Sequence, residues 1–154
     1  MNEWHIREAR HDDAATLAAF IVAMAHETET IALDPTTVQA GVCAVLNDPA
    51  RGFYLVAERD DAARASLLIT FEWSDWRNAF FWWIQSVYVE PAYRRTGAFR
   101  ALHTAVVEHA QRAGNVCGLR LYVERDNRDA RETYDALGMQ RSWYRMYERL
   151  IDNA

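Results

Sequence analysis

The stretch from Val87 to Leu102 constrains this chain most: Val-Tyr-Val-Glu-Pro-Ala-Tyr-Arg-Arg-Thr-Gly-Ala-Phe-Arg-Ala-Leu. It reads as a strand, a tight turn and a helix. Val87 and Val89 flank Tyr88 as strand residues do. Pro91 cannot donate to a ladder, so the strand ends there. From Gly97 onward, Ala98, Leu102, Ala105, Val106, His109 and Ala110 recur at helical spacing. The turn therefore delivers several backbone N–H groups to a helix N-terminus, with Arg94 and Arg95 beside them. Such a turn is a site for phosphate. No Gly-Lys-Ser/Thr follows, so it is not a P-loop, and its single glycine excludes the dinucleotide fingerprint.

A second segment, Leu121 to Met139, is again strand, turn and helix. Asn127 is a suitable N-cap, and Asn127, Ala130, Arg131 and Tyr134 fall at helical spacing. Gly138 is placed to end that helix. Together the two segments resemble the GCN5-related N-acetyltransferase (GNAT) superfamily. Its acyl-CoA signature, Arg/Gln-x-x-Gly-x-Gly/Ala after a strand, is matched by Arg94, Arg95, Thr96, Gly97, Ala98 and Phe99. Its later signature is matched by Asn127, Ala130, Tyr134 and Leu137-Gly138-Met139. The resemblance covers most of the chain. Phe99 departs from it, standing where the family usually has Gly or Ala. Its ring either crowds the cofactor phosphates or packs away from them.

Length and composition are consistent with this. A chain of 154 residues that is 51% hydrophobic makes one folded domain, residues 1–154, with a substantial core. The net charge of −5 argues against broad nucleic-acid binding and suits a cationic acceptor. All 17 basic residues are arginine. No apolar run is long enough to span a bilayer, so no membrane partner is expected. The start, Met1-Asn2-Glu3-Trp4-His5, lacks the pattern of a signal peptide, which makes a cytoplasmic protein the expectation. Cys43 and Cys117 have no metal-ligand spacing and read as two reduced, mostly buried thiols. No metal site is expected.

The elements follow the order β-α-α-β-β-β-α-β-α-β. Strands are expected at 5–9, 53–58, 65–72, 80–89 and 117–123, with one or two more between Met139 and Leu150. Asp12 or Asp13 can cap a first helix, and Pro35 opens a second. The fold class is α/β (mixed α+β). The resemblance implies a central mixed, largely antiparallel sheet of six to seven strands, with about four helices on both faces. The aromatics Phe71, Trp73, Trp76, Phe80, Phe81, Trp82 and Trp83 read mainly as core or hairpin packing. The run from Phe80 to Trp83 suits a strand covered on both faces or a homodimer contact.

Amide formation from acetyl-CoA and an amine needs the cofactor held, the thioester polarised, a proton removed from the amine and one given to the thiolate. The resemblance assigns holding to Arg94, Arg95, Thr96, Gly97, Ala98, Phe99 and Arg100, with Asn127 and Ala130 on the later helix. It assigns polarisation to a backbone amide within Val87, Tyr88 and Val89, beside which the pantetheine runs. Tyr134 is the proton donor to sulfur, or else a packing residue. A phenol near pKa 10 facing a thiol near 8.5 makes full transfer uphill by roughly 2 kcal/mol unless the site helps. Glu27 and Glu29, after the first helix, are candidates to bind a cationic acceptor or serve as base through a water, or are solvated carboxylates. His26 and Glu72 are further candidates. The expected function is acetyl-CoA-dependent N-acetylation of a primary amine, on a small molecule or peptide, in a ternary complex. The alternative is a non-catalytic acyl-CoA-binding or sensing module on the same fold.

Overall fold

The computed structural model describes residues 3–152; Met1 and Asn2, which entered the signal-peptide reading, and Asn153 and Ala154 lie outside them. The chain forms two compact units, one up to Tyr122 and one from Val123 on. No helix of the structure is long and apolar enough to cross a membrane.

The first unit is built on one five-stranded sheet in the order β1 (His5–Glu8), β2 (Phe53–Arg59), β3 (Ala62–Ser74), β4 (Ala79–Val89), β5 (Val116–Leu121). Neighbours are antiparallel except β4 and β5, which run parallel. A parallel pair needs a crossover, and the helix α3 (Ala98–Ala113) supplies it. Helices α1 (Ala14–Glu29) and α2 (Pro35–Asn47) lie between β1 and β2 in sequence. Alternation along the strands sorts residues between two cores. Leu55, Ala57, Leu67, Ile69, Trp82 and Ile84 pack with Ala98, Leu102 and Val106 of α3. Tyr54, Val56 and Leu68 pack with Leu17, Ala18 and Val42 of α1 and α2. The sheet thus carries helices on both faces.

Local chemistry explains the helix starts. The Asp34 carboxylate accepts from the Thr37 N–H (2.9 Å) and hydroxyl (2.6 Å), and Pro35 occupies the first helical position of α2. Asp13 is the residue before α1, yet its carboxylate does not cap that helix. It accepts two bonds from Arg7, at 2.8 and 3.0 Å, and one from the Arg10 N–H at 2.7 Å. Arg7 also reaches Glu58 at 2.6 Å, tying β1, β2 and the start of α1 through one guanidinium. Gly52 is required before β2, because a Cβ there would lie 2.0 Å from the Ile69 carbonyl oxygen.

Three expectations are corrected. Among the described residues the sheet has five strands rather than six or seven, and residues 139–152 carry neither helix nor strand. A strand exists only when paired. The side chains of Trp143, Tyr144 and Tyr147 are instead exposed. Cys117 is exposed too, while Cys43 is half-buried. The register of β4 with β5 skips Cys117 between Val116 and Gly118, as a bulge does. Finally, Trp76 is exposed at the β3–β4 hairpin, whereas Trp73, though partly exposed, packs across the hairpin on the Phe80 ring at 4.8 Å as expected. The other aromatics pack too. Phe71, Phe80 and Trp82 join the α3-side core. On the other face the Phe81 ring lies over Gly118, under the Arg120 guanidinium at 3.6 Å, and Trp83 meets Tyr122 at 4.5 Å.

Arg7→Met should lower stability by about 2 kcal/mol, less than for a fully buried pair because some water reaches the cluster. Arg7 holds the Asp13 and Glu58 carboxyls below their ordinary pKa values of 3.8 and 4.5. Depressed carboxylates contribute fully above those values and lose the contribution as pH falls through the folded-state values. The melting temperature of the wild type should therefore drop more steeply below about pH 4 than that of Arg7→Met, as followed by thermal denaturation monitored by circular dichroism.

Candidate functional site

The site begins with a misfit between β3 and β4. Their ladder runs from Ser74 opposite Ala79 to Ala65 opposite Val89, but shifts between Ser66 and Leu68. Two residues of β4, Ser86 and Val87, stand against Leu67. Ser86 takes a left-handed φ of +50°, rare outside glycine. One extra residue reverses which side chains face which side. Before the bulge Trp82 and Ile84 face the α3 core; after it Val87 and Val89 do so. Tyr88 is thereby turned toward α1, where its ring meets Phe20 at 5.0 Å.

A second irregularity lies on the other edge of β4. Its parallel pairing with β5 ends at Ile84 opposite Leu121, whereas its pairing with β3 continues to Val89. From Gln85 to Val89 the edge of β4 away from β3 has no strand partner among the described residues. Backbone N–H and C=O groups of Val87, Tyr88 and Val89, the segment singled out from sequence, belong to this stretch.

The chain then enters the turn between β4 and α3. Pro91–Tyr93 form one 3₁₀ turn, and Arg95 (φ +62°) and Gly97 (φ +88°) are left-handed. A Cβ on Gly97 would meet nothing within 4 Å, so glycine is demanded there by backbone conformation rather than crowding. The α3 ladder opens with the Ala101 N–H to the Gly97 carbonyl, at 3.0 Å. The N–H groups of Ala98, Phe99 and Arg100 precede it, and no side chain caps this end. Arg95, Thr96 and Arg100 are exposed, while Ala98 is buried. The Phe99 ring is half-buried and packs against the α3-side core.

Arg94 does not lie idle on the turn. Its Nε donates to the Val89 carbonyl at 3.0 Å, and its guanidinium reaches the Glu27 carboxylate at 2.5 Å. The Tyr88 hydroxyl donates to the other Glu27 oxygen at 3.4 Å. Glu27 thus joins the end of α1 to the end of β4. Burial first, and then the Glu27 charge, pushes the Tyr88 phenol above its ordinary pKa, so it remains a neutral donor. Glu29, the last residue of α1, and His26 are exposed. Glu72 pairs with Arg120 at 2.5 Å, which ties it to β5. No group of His, Cys, Asp and Glu among the described residues is gathered for a metal ion.

In the second unit, the Asn127 side chain accepts from the Ala130 N–H at 3.1 Å and starts helix α4 (Arg128–Ala136). Tyr134 is half-buried on α4, and burial raises its phenol pKa. Gly138 takes φ +82° just past the helix, and the Met139 N–H closes back on the Tyr134 carbonyl at 3.1 Å. Two features escape a sequence reading. The bulge at Ser86 depends on strand register. Trp4, whose Nε1–H donates to the Thr96 carbonyl at 3.1 Å, lies 92 positions from its partner.

A family model described as the acetyltransferase (GNAT) family matches residues 10–139, a span that holds β4, the Gly97 turn, α3 and the Asn127-capped α4. The chain belongs to the acetyltransferase (GNAT) family. Among solved structures it is similar to a possible acetyltransferase from Clostridium difficile 630, at 43% identity and TM-score 0.91, covering 97% of this chain and 99% of that one. It shares its fold with a ribosomal-protein-alanine N-acetyltransferase from Brucella melitensis biovar Abortus 2308, at 18% identity, TM-score 0.78, and 96% and 99% coverage. It also shares its fold with a predicted acetyltransferase with acetyl-CoA from Clostridium acetobutylicum, at 17% identity, TM-score 0.77, and 96% coverage of both chains. No curated protein matches it.

For this GNAT protein the packing of Phe99 makes a direct forecast. Phe99→Ala should lower stability by about 2 kcal/mol, below the roughly 3–5 kcal/mol of a fully buried ring. Acetyl-CoA affinity should change little. Thermal denaturation and calorimetry on the same preparation read the two effects separately.

Proposed function

We propose that this protein transfers the acetyl group of acetyl-CoA to a primary amine of a small molecule or peptide, by direct attack in a ternary complex. The observation that carries the reading is the parting of β4 from β5 immediately before the phosphate turn. It supports pantetheine lying along the freed edge of β4, with pyrophosphate at the N–H groups of Gly97 to Arg100. The helix dipole of α3 and the exposed Arg95 and Arg100 add positive potential there.

In this reading a backbone N–H within Val87 to Val89 polarises the thioester carbonyl. The amine nitrogen attacks the carbonyl carbon, and the C–S bond breaks as the tetrahedral intermediate collapses. The proton lost by the ammonium leaves through water to a carboxylate at the end of α1. Glu29 is the candidate, while Glu27, also exposed, orients the Tyr88 hydroxyl beside the acceptor. Both carboxylates and the negative end of the α1 dipole favour a cationic acceptor. Tyr134 donates its proton to the departing thiolate and regains one from solvent. This role rests on the spacing of Asn127, Ala130 and Tyr134. The pairing of Glu27 with Arg94 favours a second reading, a non-catalytic acyl-CoA-binding module. Thiol release from acetyl-CoA across a panel of amines separates the two.

Gly97→Glu should abolish acetyl-CoA binding, because it places a side chain and a negative charge where phosphate sits. Unchanged affinity in a folded variant, by calorimetry, would remove the turn from the cofactor site. Tyr134→Phe deletes one hydroxyl and should lower kcat by about 10²–10⁴-fold with little change in acetyl-CoA affinity. Single-turnover rates make this visible even where product release limits kcat. Equal single-turnover rates in variant and wild type would leave Tyr134 as a packing residue.

A further inference from the structure

The geometry points to Trp4 as a positioning residue for the pyrophosphate. The inference rests on the phosphate turn being the acetyl-CoA site. Trp4 immediately precedes β1, yet its Nε1–H donates to the Thr96 carbonyl at 3.1 Å. In a trans peptide the carbonyl and the following N–H point in opposite directions. Holding the Thr96 carbonyl on the β1 side therefore aims the Gly97 N–H to the opposite side. That N–H leads directly into those of Ala98, Phe99 and Arg100.

The peptide between Thr96 and Gly97 needs such a hold. It lies between two left-handed residues, Arg95 and Gly97, in an exposed turn. Glycine at one end leaves it free to flip, and a flipped peptide turns a carbonyl oxygen toward phosphate. The Trp4 ring is itself immobilised. The Arg59 guanidinium stacks on it at 3.9 Å, and the Tyr93 ring meets it edge-on at 5.9 Å. Tyr93 is in turn tied to the turn, because its carbonyl accepts from the Thr96 hydroxyl at 2.5 Å. The Thr96 carbonyl is thus held by a ring that Arg59 and Tyr93 fix in place, on the side of this peptide away from the Gly97 N–H.

The test removes one hydrogen. Trp4→Phe keeps an aromatic ring beside Arg59 and Tyr93 but has no N–H. Replacement of Trp4 by 3-benzothienylalanine keeps the whole bicyclic shape, with sulfur in place of N–H. Both should raise the acetyl-CoA dissociation constant and KM about 5- to 10-fold, the worth of one neutral hydrogen bond. Both should leave kcat at saturation and the amine KM unchanged. S-acetylpantetheine, which lacks the pyrophosphate, should be used equally well by variants and wild type. A general distortion would instead weaken both donors, and that result overturns the inference. So does an unchanged acetyl-CoA dissociation constant in the benzothienyl variant. Wild-type protein that fails to bind acetyl-CoA at all would overturn the cofactor assignment itself, and this inference with it.

Discussion

One inserted residue in β4 organises everything near the site. Without Ser86 opposite Leu67, the alternation of β4 would run unbroken and Tyr88 would face the α3 core. With it, Val87 and Val89 close that core and Tyr88 meets α1. A left-handed, non-glycine residue in a strand costs on the order of 1–3 kcal/mol and persists only where its surroundings over-determine it. Here the surroundings are the two cores, which register the strand from both faces. The bulge lies where β4 loses β5 as a partner, so strain and unpaired edge coincide.

Electrostatics then links the two sides of this point. Glu27 comes from the last turn of α1, and Arg94 from the turn after β4. Their pair is partly exposed, so it adds little stability. Its consequence is geometric. Arg94 also holds the Val89 carbonyl, and so draws the end of α1, the end of β4 and the start of the phosphate turn into one hydrogen-bonded set. The Glu27 carboxylate accepts from both the Arg94 guanidinium and the Tyr88 hydroxyl, one on each oxygen.

The turn between β4 and α3 itself depends on contacts distant in sequence. Its N–H groups are numerous because α3 begins without a side-chain cap. Their direction is set by the peptide planes of Arg95 to Gly97, and those planes are braced by Trp4 and Tyr93. The short motif supplies the glycine and the arginines, while a residue ahead of β1 holds the peptide in register.

Much of this was legible in the sequence. Val87 to Pro91 spelled a strand end, Gly97 a tight turn, and the apolar spacing from Ala98 a helix. Asn127 and Gly138 marked the two ends of α4. These are local signals, carried by backbone sterics and by side chains that bond to their own neighbours, and they survive without knowledge of the fold. One or two strands were expected between Met139 and Leu150 as well, yet none forms between residues 139 and 152, because a strand needs a partner that its own sequence does not contain. The bulge at Ser86, the capture of Arg94 by Glu27, the inward ring of Phe99 and the bond from Trp4 to Thr96 were invisible for the same reason. Each is a relation between segments far apart in the chain. Periodicity and capping determine which elements form; only packing two cores against one sheet decides register, and register decides which side chains meet.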